Sequence, residues 1–412
     1  MAEVRRIVVK FGGTSIANGE RIRLGAKAVH REYKKGIEVA VVVSAMGHTT
    51  DELIKAAKAG TDGKVSAREL DEIMAMGEQT SARIFAAALR SLEVDARYID
   101  PKQHEWPVVT DNNFGLANVN LVETRMRTKK FVLPLMKKRV IPVICGFLGK
   151  DERGNITTVG RGGSDITGLL MGKCLDANEV TIVTDAEGVM TADPNKIRRA
   201  RLIKRISVEE MRDLARFGAQ VMHPRAMSYK DPRINAKVIH FRHGNLSVRG
   251  TTIVGPKEVK FVGVRAYEKP LAMLTIVGEE MQSTPGILVK STTPLTRAGI
   301  NIFSVSIGPR SFSIYVMEED SRRALELLHK SITRNRKMKS VTSENNIALL
   351  IAESERFIYT PGAIAKLSEP LARAQINVIE IFSSRASISF FVNWDDRKKA
   401  LKLLRQAMKE VR

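Results

Sequence analysis

Two glycine-rich strings in this 412-residue chain set small residues and backbone N–H groups beside fixed charges: Val8-Val9-Lys10-Phe11-Gly12-Gly13-Thr14-Ser15 and Thr157-Thr158-Val159-Gly160-Arg161-Gly162-Gly163-Ser164-Asp165. In the first, Gly12 and Gly13 let a phosphate come close to the backbone, and Lys10 supplies a point charge able to follow negative charge between donor and acceptor. In the second, Arg161 is a planar bidentate cation suited to a substrate carboxylate, with the Ser164 hydroxyl and the Asp165 carboxylate close behind it. Together they read as the phosphate-handling site of a small-molecule kinase. Two near matches fail. Gly168-Leu-Leu-Met-Gly172-Lys173-Cys174 is too short between its glycines for a P-loop, and Gly160 to Asp165 ends in Asp where a dinucleotide fingerprint needs Gly or Ala.

The elements that must hold these strings can be read from periodicity. Apolar runs at Ile7 to Phe11, Glu38 to Ser44, Val140 to Gly146, Val180 to Thr184 and Lys237 to Phe241 suit buried strands, and helical patterning such as that of Glu20 to Lys35 falls between them. Alternating strands and helices imply a three-layer α/β domain with a mostly parallel sheet, whose glycines cluster after strands, where such sheets bind ligands. Ser66 with Glu69 forms a capping box opening a helix that carries Glu78. Ser164 to Leu175 reads as another helix, with Ser164 as its cap and its N-terminus toward the anion. Thr49 could cap a helix beginning near Asp51, Asp193-Pro194 is a common turn pair, and Glu78 on an amphipathic helix would ordinarily be solvated. His223 before Pro224 reads as a packing or capping residue.

The C-terminal part repeats at an offset of 76 residues. Thr284-Pro285-Gly286 falls on Thr360-Pro361-Gly362, Ala298 to Ile302 on Ala374 to Val378, and Arg323 to Leu328 on Lys399 to Leu404, with no gap. Each copy reads strand, turn, helix, two strands, helix, an α+β ferredoxin-like pattern, with basic Thr333 to Ser340 as the link between them.

These residues resemble the aspartate kinase family, within the amino-acid-kinase fold, and the likeness runs the length of the chain. Besides the two strings it includes Val43-Ser44-Ala45-Met46-Gly47, Gly77-Glu78-Gln79, Thr184-Asp185, Thr191-Ala192-Asp193-Pro194 and Gly218 to Arg225. The resemblance implies ATP-dependent phosphorylation of the L-aspartate side-chain carboxylate, the entry to lysine, threonine and methionine synthesis. It implies that Lys10 stabilises the moving phosphoryl group and Asp165 orients the site. Arg161 would hold the α-carboxylate and Glu78 the ammonium, with Thr49, Gly163 and Ser164 completing the aspartate pocket. ATP would lie over Lys10, Phe11, Gly12, Gly13, Ser44, Thr184, Asp185, Met190, Asp193, Pro194 and Gln220, with Mg²⁺ bound through its phosphates and no metal ligands of the protein's own.

The C-terminal repeat resembles a pair of ACT domains. The expected division is a catalytic domain at 1–262 and ACT domains at 268–340 and 345–412. Such pairs imply feedback by an end-product amino acid, lysine or threonine, and a homo-oligomer joined through them; Pro285, Gly286 and Asn301 are the residues that could hold the effector. Met190 stands where the family commonly has an aromatic, Asn195 and Asn118 where it often has Arg, and Gln220 where it often has Lys. Those departures touch the nucleotide more than the reaction. The other readings are a kinase for glutamate or N-acetylglutamate, a silent amino-acid sensor, and a basic RNA-binding protein on the same fold.

Composition agrees with an enzyme. Hydrophobic residues make up 43% of the chain, no apolar stretch approaches the roughly 20 residues of a membrane span, and the start of the chain leads straight into a strand, so a cytoplasmic location is the expectation. Two cysteines, Cys145 and Cys174, are too few for a disulfide framework and read as small buried residues. The net charge of +22 is densest at Arg125 to Arg139 and at Lys196 to Arg205. A nucleic-acid surface would interleave aromatics, which these runs nearly lack; solvated faces that attract anionic substrates account for them.

Overall fold

Ile7 to Val9 and Val39 to Val43 are apolar without alternation, the pattern of strands covered on both faces. In the computed structural model, which describes residues 4–216, 221–255, 263–333, 337–354, 357 and 360–410, they lie in β1 (Arg6–Phe11) and β2 (Glu38–Val43). Contacts divide the chain into two units, Met1–Val259 and Lys260–Arg412.

In the first unit the order continues as α1 (Gly19–Lys34), α2 (Thr49–Gly60), α3 (Ala67–Arg90), β3 (Ala96–Ile99), α4 (Leu121–Arg127) and α5 (Leu133–Lys137). Then come β4 (Ile141–Cys145), β5 (Leu148–Lys150), β6 (Ile156–Thr158), α6 (Gly163–Leu175) and β7 (Glu179–Thr184). The unit ends with β8 (Arg205–Ser207), α7 (Val208–Arg216), β9 (Asn235–His240) and β10 (Thr251–Val254). The main sheet runs β3-β4-β2-β1-β7-β9-β10-β8; β10 is antiparallel to β9, and its other pairings are parallel. β5 and β6 form a separate antiparallel hairpin.

Register sets the carboxyl ends level, with Phe11 opposite Val43 and Val183, and Val43 opposite Cys145. The connection from β1 leads to β2 on one side while β7 pairs on the other. That makes the β1–β7 edge a topological switch point, where open sheets leave a crevice for ligands. Beneath it Phe11 and Phe85 stack at 5.0 Å, and a Cβ on Gly25 would come within 2.9 Å of the Phe11 ring, so α1 packs on the sheet through a bare backbone. Cys145 and Cys174 are both buried and free.

The second unit holds β11 (Gly263–Ala266), β12 (Leu271–Gly278), α8 (Ile287–Arg297), β13 (Ser304–Ile307), β14 (Ser311–Met317) and α9 (Ser321–Ile332). It continues with β15 (Met338–Glu353), α10 (Ala363–Arg373), β16 (Val378–Ser383), β17 (Ser387–Asn393) and α11 (Arg397–Glu410). The repeat is visible in detail: α8 and α10 follow left-handed glycines, Gly286 and Gly362, and carry Pro294 and Pro370 at matching positions. Alternate residues of each strand face different cores. Leu274, Ile276 and Ile314 pack on α8 and α9, Leu350, Phe390 and Val392 on α10 and α11, and Leu271, Tyr315, Ile347 and Phe391 on one another between the two sheet halves.

Met338 to Ser340 are not linker: they begin β15, which pairs with β12 (Val277 opposite Ser340) and, from Ile347 onward, with β17. The change of partner falls at Asn346, whose φ is 64°. In addition β11, which precedes the first repeat in the chain, pairs with the far end of β15 in the second. Among the described residues no helix is long and apolar enough to cross a membrane.

Candidate active site

The turn after β1 is fixed by its own backbone. Gly12 N–H donates to the Val183 carbonyl (3.0 Å) and Ser15 Oγ to the same oxygen (3.0 Å), closing the turn against the end of β7. Gly47 N–H donates to the Gly13 carbonyl, and Ser44 N–H to that of Phe11. A Cβ at Gly13 would lie 2.8 Å from the Ala45 carbonyl oxygen, so the turns after β1 and β2 touch where only glycine fits.

Lys10 is buried, and its Nζ lies 2.6 Å from Asp165 Oδ1. Asp165 stands in the first turn of α6, where the helix dipole favours an anion. The cap of α6 is Gly162 rather than Ser164, which is already helical. Only glycine fits at this cap: Gly162 has φ 74°, and a Cβ there would meet His223 Cβ at 2.3 Å. A side chain at Gly168 would press on Lys10 Cβ at 3.0 Å, and one at Gly146 on Ser164 Cβ at 2.8 Å. Two glycines thus seat α6 over the lysine and against the end of β4.

Glu78 is not a solvated helix residue: only 3% of it is exposed. The close approach of Gly77 to Ala45, 2.8 Å from an added Cβ to Ala45 Cβ, sinks this face of α3 against the turn after β2. Its Oε1 accepts from Ala45 N–H (3.1 Å), while Oε2 is buried without a hydrogen-bond partner. Burial pushes the carboxyl up to about 8. A buried carboxyl oxygen without a partner is costly, and a cationic donor would satisfy it. Thr49, the first residue of α2 rather than a cap for a helix starting at Asp51, donates to the Met46 carbonyl (2.7 Å), with its methyl 3.7 Å from a Cβ built on Gly77. Gly163 is buried against Phe147, and Arg161 stands exposed at the tip of its loop.

The other sequence candidates are less gathered. Thr184 ends β7 and donates to Asp185 Oδ1 (3.2 Å). Met190 bridges Leu202, and Asp193 accepts from Asn195 N–H (2.9 Å) in an Asx turn beside exposed Pro194. Gln220 lies outside the described residues. His223 caps the turn that follows it, accepting from Arg225 N–H (3.3 Å), as its capping reading requires. In the second unit Gly286 caps α8 in the left-handed conformation after Pro285, and exposed Asn301 sits ahead of β13.

Two anchors escaped the sequence reading. Asp71 on α3 accepts from Gly115 N–H (2.9 Å), Thr158 N–H (2.8 Å) and Thr158 Oγ1 (2.7 Å). Arg225 donates to the Val159 carbonyl (2.7 Å) and, at 3.4 Å, to that of Ala117. Asp71 did leave a trace, an acid two helical turns before Glu78 on the same face.

Comparison with known proteins matches this arrangement. A model described as the amino acid kinase family covers residues 5–240, and one described as an ACT domain covers 266–330 and again 342–406. An aspartokinase of Geobacillus stearothermophilus is 33% identical over 97% of this chain and 96% of its own. The crystal structure of aspartate kinase from Synechocystis superposes with a TM-score of 0.82 at 26% identity, over 98% of this chain and 69% of that one. Escherichia coli aspartokinase III, in complex with aspartate and ADP, shares the fold at TM-score 0.55 and 22% identity, over 98% and 99% of the two chains. A relationship this long, over a lysine–aspartate pair at a sheet switch point and two ACT repeats, leaves one conclusion: the chain belongs to the aspartokinase family.

Proposed function

We propose that the chain transfers the γ-phosphoryl group of ATP to the side-chain carboxylate of L-aspartate, giving 4-phospho-L-aspartate, and that its ACT repeats set the rate in response to an end-product amino acid. The observation that carries the substrate reading is Glu78, a buried carboxylate with one satisfied and one bare oxygen beside the phosphate turn. An α-ammonium supplies what that oxygen lacks, while exposed Arg161 takes the α-carboxylate by a bidentate contact. The acceptor carboxylate is already a nucleophile, so the protein needs no base: it aligns donor and acceptor and neutralises charge. Lys10, held by Asp165, follows the phosphoryl charge. Backbone N–H groups after β1 and at the start of α6 receive the phosphate oxygens.

Thr49, Gly163 and Ser164 complete the aspartate pocket. Phe11, Gly12, Gly13, Ser44, Thr184, Asp185, Met190, Asp193 and Pro194 form the nucleotide side, with Gln220 as a further contact. Mg²⁺ fits this site as a phosphate-borne ion, since it keeps waters and phosphate oxygens as most of its ligands; bound, it neutralises phosphate charge. Residues 1–262 act as the catalytic domain, with 268–340 and 345–412 as regulatory ones. Lysine or threonine at Pro285, Gly286 and Asn301 is the effector reading, a homo-oligomer through the ACT repeats the assembly, and the cytoplasm the location.

The test is ADP release from Mg-ATP with L-aspartate, L-glutamate or N-acetylglutamate, for the unmutated chain and Lys10→Ala, adding lysine, threonine or methionine singly. Turnover with aspartate alone, cut by orders of magnitude in Lys10→Ala and slowed by one end product, is expected. Turnover with none of the three would sink the kinase reading.

A further inference from the structure

We propose that Asp71 is a positioning residue of the aspartate site, locking the loop that carries Arg161 to the helix that carries Glu78. The inference rests on the reading above, in which those two side chains grip the α-carboxylate and the α-ammonium. Their separation then decides how well an α-amino acid is held, yet they come from elements far apart in the chain. Asp71 joins those elements. It sits on α3 with Glu78, about 10 Å along the axis at 1.5 Å per residue, and is 1% exposed.

One of its oxygens accepts two backbone N–H groups, Gly115 and Thr158, and the other accepts the Thr158 hydroxyl. Thr158 is the last residue of β6, just ahead of the Arg161 loop. That loop has free joints on both sides of the arginine, since Gly160 and Gly162 have φ 80° and 74°. Its stem therefore needs to be held from outside. Asp71 holds it at Thr158, and Arg225 holds it one residue later at the Val159 carbonyl.

Apolar packing would have joined helix and hairpin more cheaply. No cation pairs with Asp71 among the described residues, and a buried carboxylate without one is costly. What it adds is direction, because three donors converging on one carboxylate fix both segments at once. Misplacement by about 1 Å costs on the order of 100-fold in a positioned reaction.

The test is steady-state kinetics with each substrate varied in turn, on Asp71→Leu, Thr158→Val and Thr158→Ser. Asp71→Leu, which keeps the size of the side chain and removes both acceptor oxygens, should raise KM for L-aspartate about tenfold or more and leave KM for ATP within about twofold. Thr158→Val should move the same way by about three- to fivefold, and Thr158→Ser, which keeps the hydroxyl, should stay near the unmutated value. Equal rises in both KM values, or an unchanged KM for aspartate in folded Asp71→Leu, would overturn the inference. Should Asp71→Leu not fold, the Thr158 pair decides: equal KM values for aspartate in Val and Ser overturn it. Absence of aspartate turnover in the unmutated chain would remove the substrate reading and this inference with it.

Discussion

Glu78 ties the pH dependence of catalysis to that of stability. Burial raises its carboxyl from 4.5 to about 8, so in the free enzyme near neutral pH the oxygen meant for the substrate ammonium is mostly protonated. Because kcat/KM reports the free enzyme, its value for L-aspartate should climb about tenfold per pH unit and level off near pH 8. Two units below that point, it should stand about 100-fold under the plateau, equivalent to about 2.7 kcal/mol.

Stability should move the opposite way. Between pH 4.5 and about 8 the native chain keeps a proton that the unfolded chain releases, so stability is full below 4.5 and is lost as pH rises through about 8. At about 1.36 kcal/mol per unit the loss is on the order of 5 kcal/mol. Glu78→Gln keeps an acceptor for Ala45 N–H and cannot ionise. It should be more stable than the unmutated chain above pH 8, bind aspartate poorly, and lack the rising limb. The assay is ADP release at saturating Mg-ATP from about pH 5.5 to about 9.5, alongside thermal melts. A flat kcat/KM through neutrality, or the same slope in Glu78→Gln, would refute the assignment.

Lys10→Ala should lower kcat by about 10²- to 10³-fold, as loss of one preorganised charge contact does, with KM for aspartate little changed in initial-rate assays. Gly162→Ala must adopt a left-handed φ, at about 1–2 kcal/mol, and drive a methyl into His223. Calorimetry should show Tm lower by about 4 °C or more, and a melt matching the unmutated chain would contradict the contact. Tyr315 Oη donates to Glu380 Oε2 at 2.6 Å between the sheet halves. Tyr315→Phe should cost about 1.5–3 kcal/mol in urea unfolding, and an unchanged midpoint would show that the bond contributes nothing.

What the sequence disclosed was local or periodic. The Lys10 to Gly13 turn follows from an apolar strand running into two glycines, the Ser66–Glu69 box from a spacing of three, and the ACT pair from an offset that needs no gap. What it hid depends on distant partners. Ser164 has the right chemistry for a cap, but His223 presses on the residue at Gly162, and that crowding is invisible until the fold is closed. Glu78 looks solvated on its helix because the turn that buries it follows β2, more than thirty residues earlier. Asp71 finds its partners 44 and 87 residues away. The strand at 338–353 reads as a basic linker at its start because only its later half is apolar; its pairing on both flanks is set by two other hairpins.

The threading of β11 has a consequence for how the regulatory half can be dissected. The chain lays down one strand of the second repeat, leaves to build the whole of the first, and only then returns to finish the second. No single cut parts them. A protease nick between the copies would leave one fragment holding its sibling's strand and the other with a raw edge, so neither is a free-standing bead. The pair therefore behaves as a clasp. In hydrogen exchange its two copies should open together, and an amino acid that tightens one should slow exchange in the other.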